Sequence, residues 1–117
     1  MLERIFDAEE VYSSGDEFFS ISKERFFIIG DLWIVLMKGE ELNNRTYNHI
    51  AFKIEDGDLG VYEQKIINLG LEIKKDRDRM KGEGLSIYFY DYDNHLFELH
   101  TGTLAQRLTT YSKLKEY

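Results

Sequence analysis

A glutamate inside a strand-like segment is the first residue that points to chemistry. Residues 94–100, NHLFELH, alternate in polarity, which places Leu96, Glu98 and His100 on one face of a predicted β-strand. A carboxylate on such a face is costly to bury unless a partner compensates its charge. Glu98 therefore needs either a wet surface or a nearby cation.

A second strand-like segment supplies an imidazole. Residues 46–54, TYNHIAFKI, alternate so that Tyr47 and His49 share a face. A neutral imidazole and a carboxylate are both ligands that divalent transition metals accept. On these residues alone, a histidine satisfied within the core and a glutamate in a wet groove remain the alternative to a metal site.

A third segment brings further polar groups to the same side. In LSIYFYD, residues 85–91, Ser86 and Tyr88 alternate with apolar residues that would face a core. If the three strands belong to one curved sheet, their polar side chains converge on one concave surface together with His49 and Glu98. Such convergence is more specific than any of these residues taken singly.

Composition restricts the classes of function. The chain has 117 residues and a net charge of −7, which suits one domain and disfavours binding to nucleic acid or anionic membranes. Cysteine is absent, which excludes thiolate metal sites and a cysteine nucleophile and suits a reducing cytoplasm. We find no apolar run long enough to span a membrane and no signal-peptide core.

The order of predicted elements indicates an α+β fold. A helix end over residues 2–7 precedes the strand-like runs EEVYSS, EFFSIS, RFFIIG and LWIVLMK, with Gly15 and Gly30 in turns. Residues 58–69 have helical spacing and are followed by Gly70, a residue favoured after helix ends. A last helix is predicted from Thr103, which stands in capping-box spacing with Gln106.

The chain also contains an internal repeat. GDLWIVLMKG (30–39) and DNHLFELHTG (93–102) share a strand-then-glycine pattern at an offset of 63. We therefore predict one domain over residues 1–117 with paired βαβββ modules in a curved mixed sheet: a shortened first module (1–40), a second module (45–102) and a C-terminal helix (103–117). By the offset, about 15–20 residues, a strand and half a helix, are expected to be missing before Met1.

At this point the sequence resembles the vicinal oxygen chelate superfamily, and within it the fosfomycin-resistance proteins of the FosX type. The resemblance rests on the following segments: AEEVYSSGD, FSISKERFFII, LWIVLMKG, RTYNHIAF, KGEGLSIYFYDYDNHLFELH and GTLAQRL. It implies a manganese-dependent hydrolase that adds water to the epoxide of fosfomycin and works as a homodimer whose metal sites draw ligands from both subunits. Other divalent transition metals also suit a site of this type.

The resemblance assigns roles to named residues. His49 and Glu98 match two of three metal ligands, and the remaining histidine belongs to the strand expected to be missing. Glu24, between two predicted strands, matches the general base. Substrate-binding positions are matched by Trp33, Tyr47, Ser86, Tyr88 and Arg107, and Arg79 and Lys81 lie in a segment that resembles a substrate-covering loop. Each has a plainer alternative as a core, sheet or surface residue.

These assignments predict fosfomycin hydrolysis to a vicinal diol, and resistance to that antibiotic, for the intact gene product. For the 117 residues shown we expect weak or no turnover, because a site with two protein ligands binds Mn(II) less tightly than one with three. Two alternatives remain from the same fold: a protein that sequesters a small ligand without metal chemistry, and a thiol transferase acting on fosfomycin. Glu24 argues against thiol transfer, because a base is needed when water is the nucleophile.

Overall fold

The computed structural model describes residues 1–17, 22–74 and 84–114, and the chain forms two compact units. They are Met1–Glu41 (unit 1) and Leu42–Tyr117 (unit 2). Each unit contains one β-sheet. This confirms the predicted α+β class with paired modules, while the prediction of a single domain stays a prediction.

Unit 1 is a three-stranded antiparallel sheet preceded by a short helix. Its elements are α1 (Leu2–Phe6), β1 (Glu9–Ser13), β2 (Glu24–Ile29) and β3 (Leu32–Met37), with the strands in the order β1-β2-β3. Gly30 has a φ of 57°, a left-handed conformation that glycine adopts without strain in the turn between β2 and β3. Among the described residues, no strand pairs with the outer edge of β3.

The two faces of the unit 1 sheet differ in character. Phe27 is buried against Leu2 and Ala8, and Ile29 and Ile34 pack on the same cluster. Because side chains alternate along a strand, the neighbouring residues on β2 and β3 lie on the opposite face. We name this opposite face the open face of unit 1; it carries Tyr12, Glu24, Phe26, Ile28, Trp33, Val35 and Met37.

Unit 2 repeats this arrangement and adds a fourth strand. Its elements are β4 (His49–Lys53), a 3-10 turn (Asp56–Asp58), α2 (Leu59–Asn68), β5 (Ile73–Lys74), β6 (Ser86–Tyr90), β7 (Leu96–His100) and α3 (Leu104–Leu114). The strand order is β4-β7-β6-β5, with β4 parallel to β7 and the other pairs antiparallel. The sheet is therefore mixed, as predicted.

Helix α2 ends, and helix α3 begins, where the sequence predicts. The C-terminal end of α2 is followed by Gly70 with a φ of 71°, and the Leu71 N–H donates back to the Ile66 carbonyl at 3.3 Å. At α3, Thr103 Oγ1 accepts from Gln106 N at 3.1 Å, and Gln106 Oε1 accepts from Thr103 N at 2.9 Å. These reciprocal bonds are the predicted capping box.

One face of the unit 2 sheet is apolar, and its centre is buried. Phe89 and Leu99 have no exposed surface, and neither does Ile66 of α2, which packs against β6. We therefore place α2 on this face. The other face, which we name the open face of unit 2, carries Tyr88, Glu98 and their neighbours in register: His49, Ala51, Lys53, Lys74, Ser86, Tyr90, Leu96 and His100.

The predicted strands agree with these elements, with two differences. The predicted run EFFSIS falls mostly outside the described residues. The segment 46–54 forms a strand only over His49–Lys53, because residues 46–48 do not join the ladder with β7. Within the described residues, no helix is long and apolar enough to cross a lipid bilayer.

Candidate metal centre

The side chains of His49 and Glu98 meet on the open face of unit 2. His49 begins β4, and Glu98 lies in the middle of β7, the strand that β4 pairs with. His49 Nε2 lies 3.0 Å from Glu98 Oε1. The imidazole side chain is 22% exposed and the carboxylate side chain 9% exposed, so solvent reaches this pair only partly.

The hydrogen bonding of His49 determines what Nε2 can do. His49 Nδ1 lies 2.7 Å from the backbone carbonyl oxygen of Tyr47, which can only accept, so Nδ1 carries the proton. In the neutral ring, Nε2 then holds a lone pair that faces a carboxylate oxygen of Glu98. Two acceptors this close require either a proton between them or a metal ion that binds both.

A serine holds the other oxygen of the carboxylate. Ser86, the first residue of β6, donates its hydroxyl to Glu98 Oε2 at 2.7 Å. The bond leaves Oε1 directed at His49 and fixes the rotation of the carboxylate group. Ser86 was predicted to bind substrate; because its hydroxyl has one proton, it serves only one acceptor at a time.

Aromatic rings surround the imidazole. The ring centroid of His49 lies 5.0 Å from that of Tyr47 and 5.4 Å from that of Tyr88, both edge-on at 73°. The hydroxyls of the two tyrosines are 3.0 Å apart. The predicted residues Tyr47, Tyr88, Ser86, His49 and Glu98 therefore form one cluster, which restricts the position of the histidine ring.

The imidazole and carboxylate of this cluster are suitable ligands for a divalent metal ion. Two side chains are fewer ligands than such a site usually has. A metal-binding histidine usually donates its other N–H to a backbone carbonyl or a carboxylate, as His49 does to Tyr47. The described residues contain no group of three or more His, Cys, Asp or Glu able to hold a metal ion. His100, on the same face as Glu98, thus does not complete a set of three ligands, although its Nδ1 is buried without a hydrogen-bond partner in the described part of the chain.

The remaining predicted site residues belong to other elements or fall outside the described residues. Glu24 is the first residue of β2, which corrects its expected position between two strands, and it lies on the open face of unit 1. Trp33 lies on the same face and is 61% exposed. Arg107 lies on α3 and donates from Nη1 to the Tyr111 hydroxyl at 3.3 Å. Arg79 and Lys81 lie outside the described residues.

Lys74 is a residue that the sequence analysis missed. It lies on β5 opposite Tyr88, on the open face of unit 2, and its Nζ is 5.6 Å from the centroid of the Tyr47 ring. The strand is only two residues long. Strand alternation cannot be recognised over so short a length, so the face that Lys74 occupies could not be predicted.

Comparison with known proteins identifies the family. A fosfomycin resistance protein FosX from Listeria innocua is 63% identical over 112 residues, which is 96% of this chain and 84% of that protein. This chain belongs to the FosX family of fosfomycin-resistance proteins. The predicted resemblance is thereby confirmed, although none of the protein-family models compared with the chain matches it.

Solved structures and a related group extend this assignment. A glutamate-to-glutamine mutant of FosX from Listeria monocytogenes, in complex with Mn(II) and dihydroxypropylphosphonic acid, matches with a TM-score of 0.85 and 56% identity. The match covers 94% of this chain and 82% of that one. A metallothiol transferase FosB from Bacillus licheniformis is 34% identical over 98% of this chain and 73% of that protein. Identity is therefore markedly higher to the FosX proteins.

Proposed function

We propose that this chain is a Mn(II)-dependent hydrolase that opens the epoxide of fosfomycin with water and so confers resistance. The observation that carries the proposal is the pair of facing acceptors, His49 Nε2 and Glu98 Oε1, 3.0 Å apart and largely shielded from solvent. A divalent cation satisfies both groups. Mn(II) and a diol phosphonate are the ligands of the similar FosX structure from Listeria monocytogenes.

His49 and Glu98 would hold the metal, which supplies Lewis acidity toward oxygen. Glu24 acts as the general base: it accepts a proton from water as the water oxygen bonds to an epoxide carbon. The C–O bond that breaks leaves its electron pair on the epoxide oxygen, which takes up a proton. The product is the vicinal diol, with one molecule of water added and no redox change.

Four other residues complete the proposed substrate site. Arg107 offers a guanidinium, which binds phosphonate oxygens through paired hydrogen bonds. Tyr88 and Tyr47 supply hydroxyl groups next to His49. Trp33 supplies an apolar wall. Trp33 and Tyr47 are exposed and Arg107 is partly exposed, which supports this role, whereas Tyr88 is buried beside His49.

We further propose that the protein is a cytoplasmic homodimer. Several large apolar residues of β3 are exposed in the chain, among them Trp33, Leu36 and Met37. The described residues also provide fewer than three metal-ligating groups at any place. A second subunit that covers the apolar surface and adds a ligand would account for both observations.

Phosphorus NMR tests the proposal directly. The purified chain is incubated with fosfomycin and Mn(II), with and without a thiol such as glutathione, and the His49→Ala and Glu98→Gln variants serve as controls. We expect the diol to form without thiol and to disappear in both variants; the rate should be low, because the described residues provide only two metal ligands. A thiol adduct as the sole product would instead indicate transfer, and a shifted signal without conversion would indicate sequestration; either result would overturn hydrolysis.

A further inference from the structure

Arg45 connects the segment that precedes β4 to three other parts of unit 2. Its guanidinium carbon lies 4.0 Å from the centroid of the Tyr90 ring, its Nε donates to Asn94 Oδ1 at 3.1 Å, and its Nη1 forms an ion pair with Glu72. A planar guanidinium can stack on a ring with its face while it donates hydrogen bonds from its edge. Arg45 therefore contacts the end of β6, the turn after β6 and the residue before β5 at once.

Asn94 binds the same segment at a second point. Its Nδ2 donates to the Leu42 carbonyl oxygen at 2.8 Å, and the Leu42 N–H donates to the Asp93 carbonyl oxygen at 3.1 Å. Asn94 has a φ of 70°, a left-handed conformation that asparagine adopts more readily than most residues. The turn between β6 and β7 thus presents both polar atoms of this amide group to residues 42–45.

The carbonyl group of Tyr47 depends on these contacts for its position. The ladder between β4 and β7 begins at His49, so it does not include Tyr47. The Tyr47 hydroxyl contacts the Tyr88 hydroxyl, but a contact at the tip of a long side chain leaves the direction of the backbone carbonyl open. That carbonyl oxygen is the acceptor for His49 Nδ1 at 2.7 Å. The anchored residue nearest before it is Arg45.

Solvent exposure shows which contacts of Arg45 contribute most. The side chain of Arg45 is 44% exposed and that of Glu72 is 60% exposed, so solvent screens their ion pair and its net contribution is small. The stacking on Tyr90, a buried residue, and the directed bond from Nε to Asn94 remain. Lysine at this position would keep the charge and lose both of these contacts.

We propose that Arg45 is a positioning residue that keeps the Tyr47 carbonyl against His49 Nδ1 and so keeps His49 Nε2 directed at the metal position beside Glu98. The inference rests on the proposed function and adds a residue to it. When a histidine binds a metal through one ring nitrogen, the hydrogen bond of the other nitrogen sets the orientation of the ring. Arg45 acts through the backbone at Tyr47 rather than by contact with metal or substrate.

The test compares Arg45→Met and Arg45→Lys in the full chain with Arg25→Met as a matched control. Arg25 also forms an exposed ion pair, with its Nε 3.4 Å from a carboxylate oxygen of Glu10, but it lies in unit 1. Two quantities are measured without turnover. They are the dissociation constant of Mn(II), by electron paramagnetic resonance, and the rate at which the His49 Nδ1–H exchanges with water in the metal-free protein, by proton–nitrogen NMR.

We expect both quantities to rise by roughly threefold to tenfold in Arg45→Met, the range for loss of one hydrogen bond. Arg45→Lys should recover only part of the difference, and Arg25→Met should leave both quantities unchanged. Asn94→Gly provides a second route to the same result. Glycine adopts the left-handed conformation without strain and removes both side-chain hydrogen bonds of Asn94, so both quantities should rise there as well.

Equal exchange rates in Arg45→Met and Arg25→Met, or full recovery in Arg45→Lys, would overturn the proposal. Faster exchange without weaker Mn(II) binding would do the same, because the ring orientation would then not matter to the metal. An Nδ1–H that exchanges too fast to observe in the unmodified chain would also refute it, since the bond to Tyr47 would not persist. Absence of Mn(II) binding by the unmodified chain would overturn the metal-dependent function instead, because the exchange rate is measured without metal.

Discussion

Removal of the Ser86 hydroxyl should weaken metal binding although Ser86 is not a metal ligand. Its Oγ donates to Glu98 Oε2 at 2.7 Å and leaves Oε1 directed at His49. In Ser86→Ala this donor is lost while the length of the side chain changes by one atom. The carboxylate can then rotate away from the position that faces the imidazole.

The structure sets the size of the effect. A hydrogen bond to a charged group contributes about 1.5–3 kcal/mol. The Glu98 side chain is only 9% exposed, so water replaces the lost donor poorly. We therefore expect the dissociation constant for Mn(II) to rise by roughly tenfold to a hundredfold, the range typical when a partner of a metal ligand is removed.

Electron paramagnetic resonance of free Mn(II) measures this constant without turnover. Ser86→Thr keeps a hydroxyl and should stay within about threefold of the unmodified chain, a difference of about 0.6 kcal/mol. Ser13→Ala removes a serine hydroxyl from unit 1 and should have no effect. If Ser86→Ala binds Mn(II) as tightly as the unmodified chain but has a raised KM for fosfomycin, Ser86 serves the substrate and our reasoning about Glu98 is refuted.

Three further predictions concern the other parts of the molecule. His49→Ala should abolish measurable Mn(II) binding, whereas His95→Ala, which removes an exposed imidazole, should not change it in the same titration. Glu24→Gln should lower kcat by roughly 10²–10⁴, as for loss of a general base, with an unchanged dissociation constant for Mn(II). Phe89→Ala should lower the free energy of unfolding in urea by about 3–5 kcal/mol because Phe89 is completely buried, whereas Tyr92→Ala, at a residue that is 60% exposed, should cost much less. Unchanged Mn(II) binding in His49→Ala or an unchanged kcat in Glu24→Gln would contradict the role proposed for that residue. An unchanged free energy of unfolding in Phe89→Ala would contradict its place in the core.

The faces of the sheet could be predicted from the sequence because strand alternation is a local property. The alternation around His49, Tyr88 and Glu98 places all three on one side, and the ladder between β4, β7 and β6 confirms it. The end of α2 at Gly70 and the capping box at Thr103 were predictable for the same reason. Each depends on residues only a few positions apart.

Contacts between distant segments could not be predicted in this way. The bond from Ser86 to Glu98 depends on the register of β6 against β7, which alternation alone does not determine. The position of Lys74 depends on a two-residue strand, too short for a periodic pattern. The acceptor role of His49 Nε2 depends on a bond from Nδ1 to the backbone at Tyr47, for which the sequence has no signal.

The repeat explains why the two open faces carry different chemistry on the same framework. The β2–β3 hairpin of unit 1 can be aligned with the β6–β7 hairpin of unit 2 at the residue pairs farthest from their turns. Glu24 then corresponds to Ser86, and Val35 corresponds to Glu98. The first position therefore holds a hydroxyl that donates to Glu98 in unit 2 and a carboxylate in unit 1. Residues 1–41 contain no histidine, so Glu24 has no imidazole among them with which to share a metal. We therefore expect the Glu24 carboxylate to serve as the general base in the proposed hydrolysis.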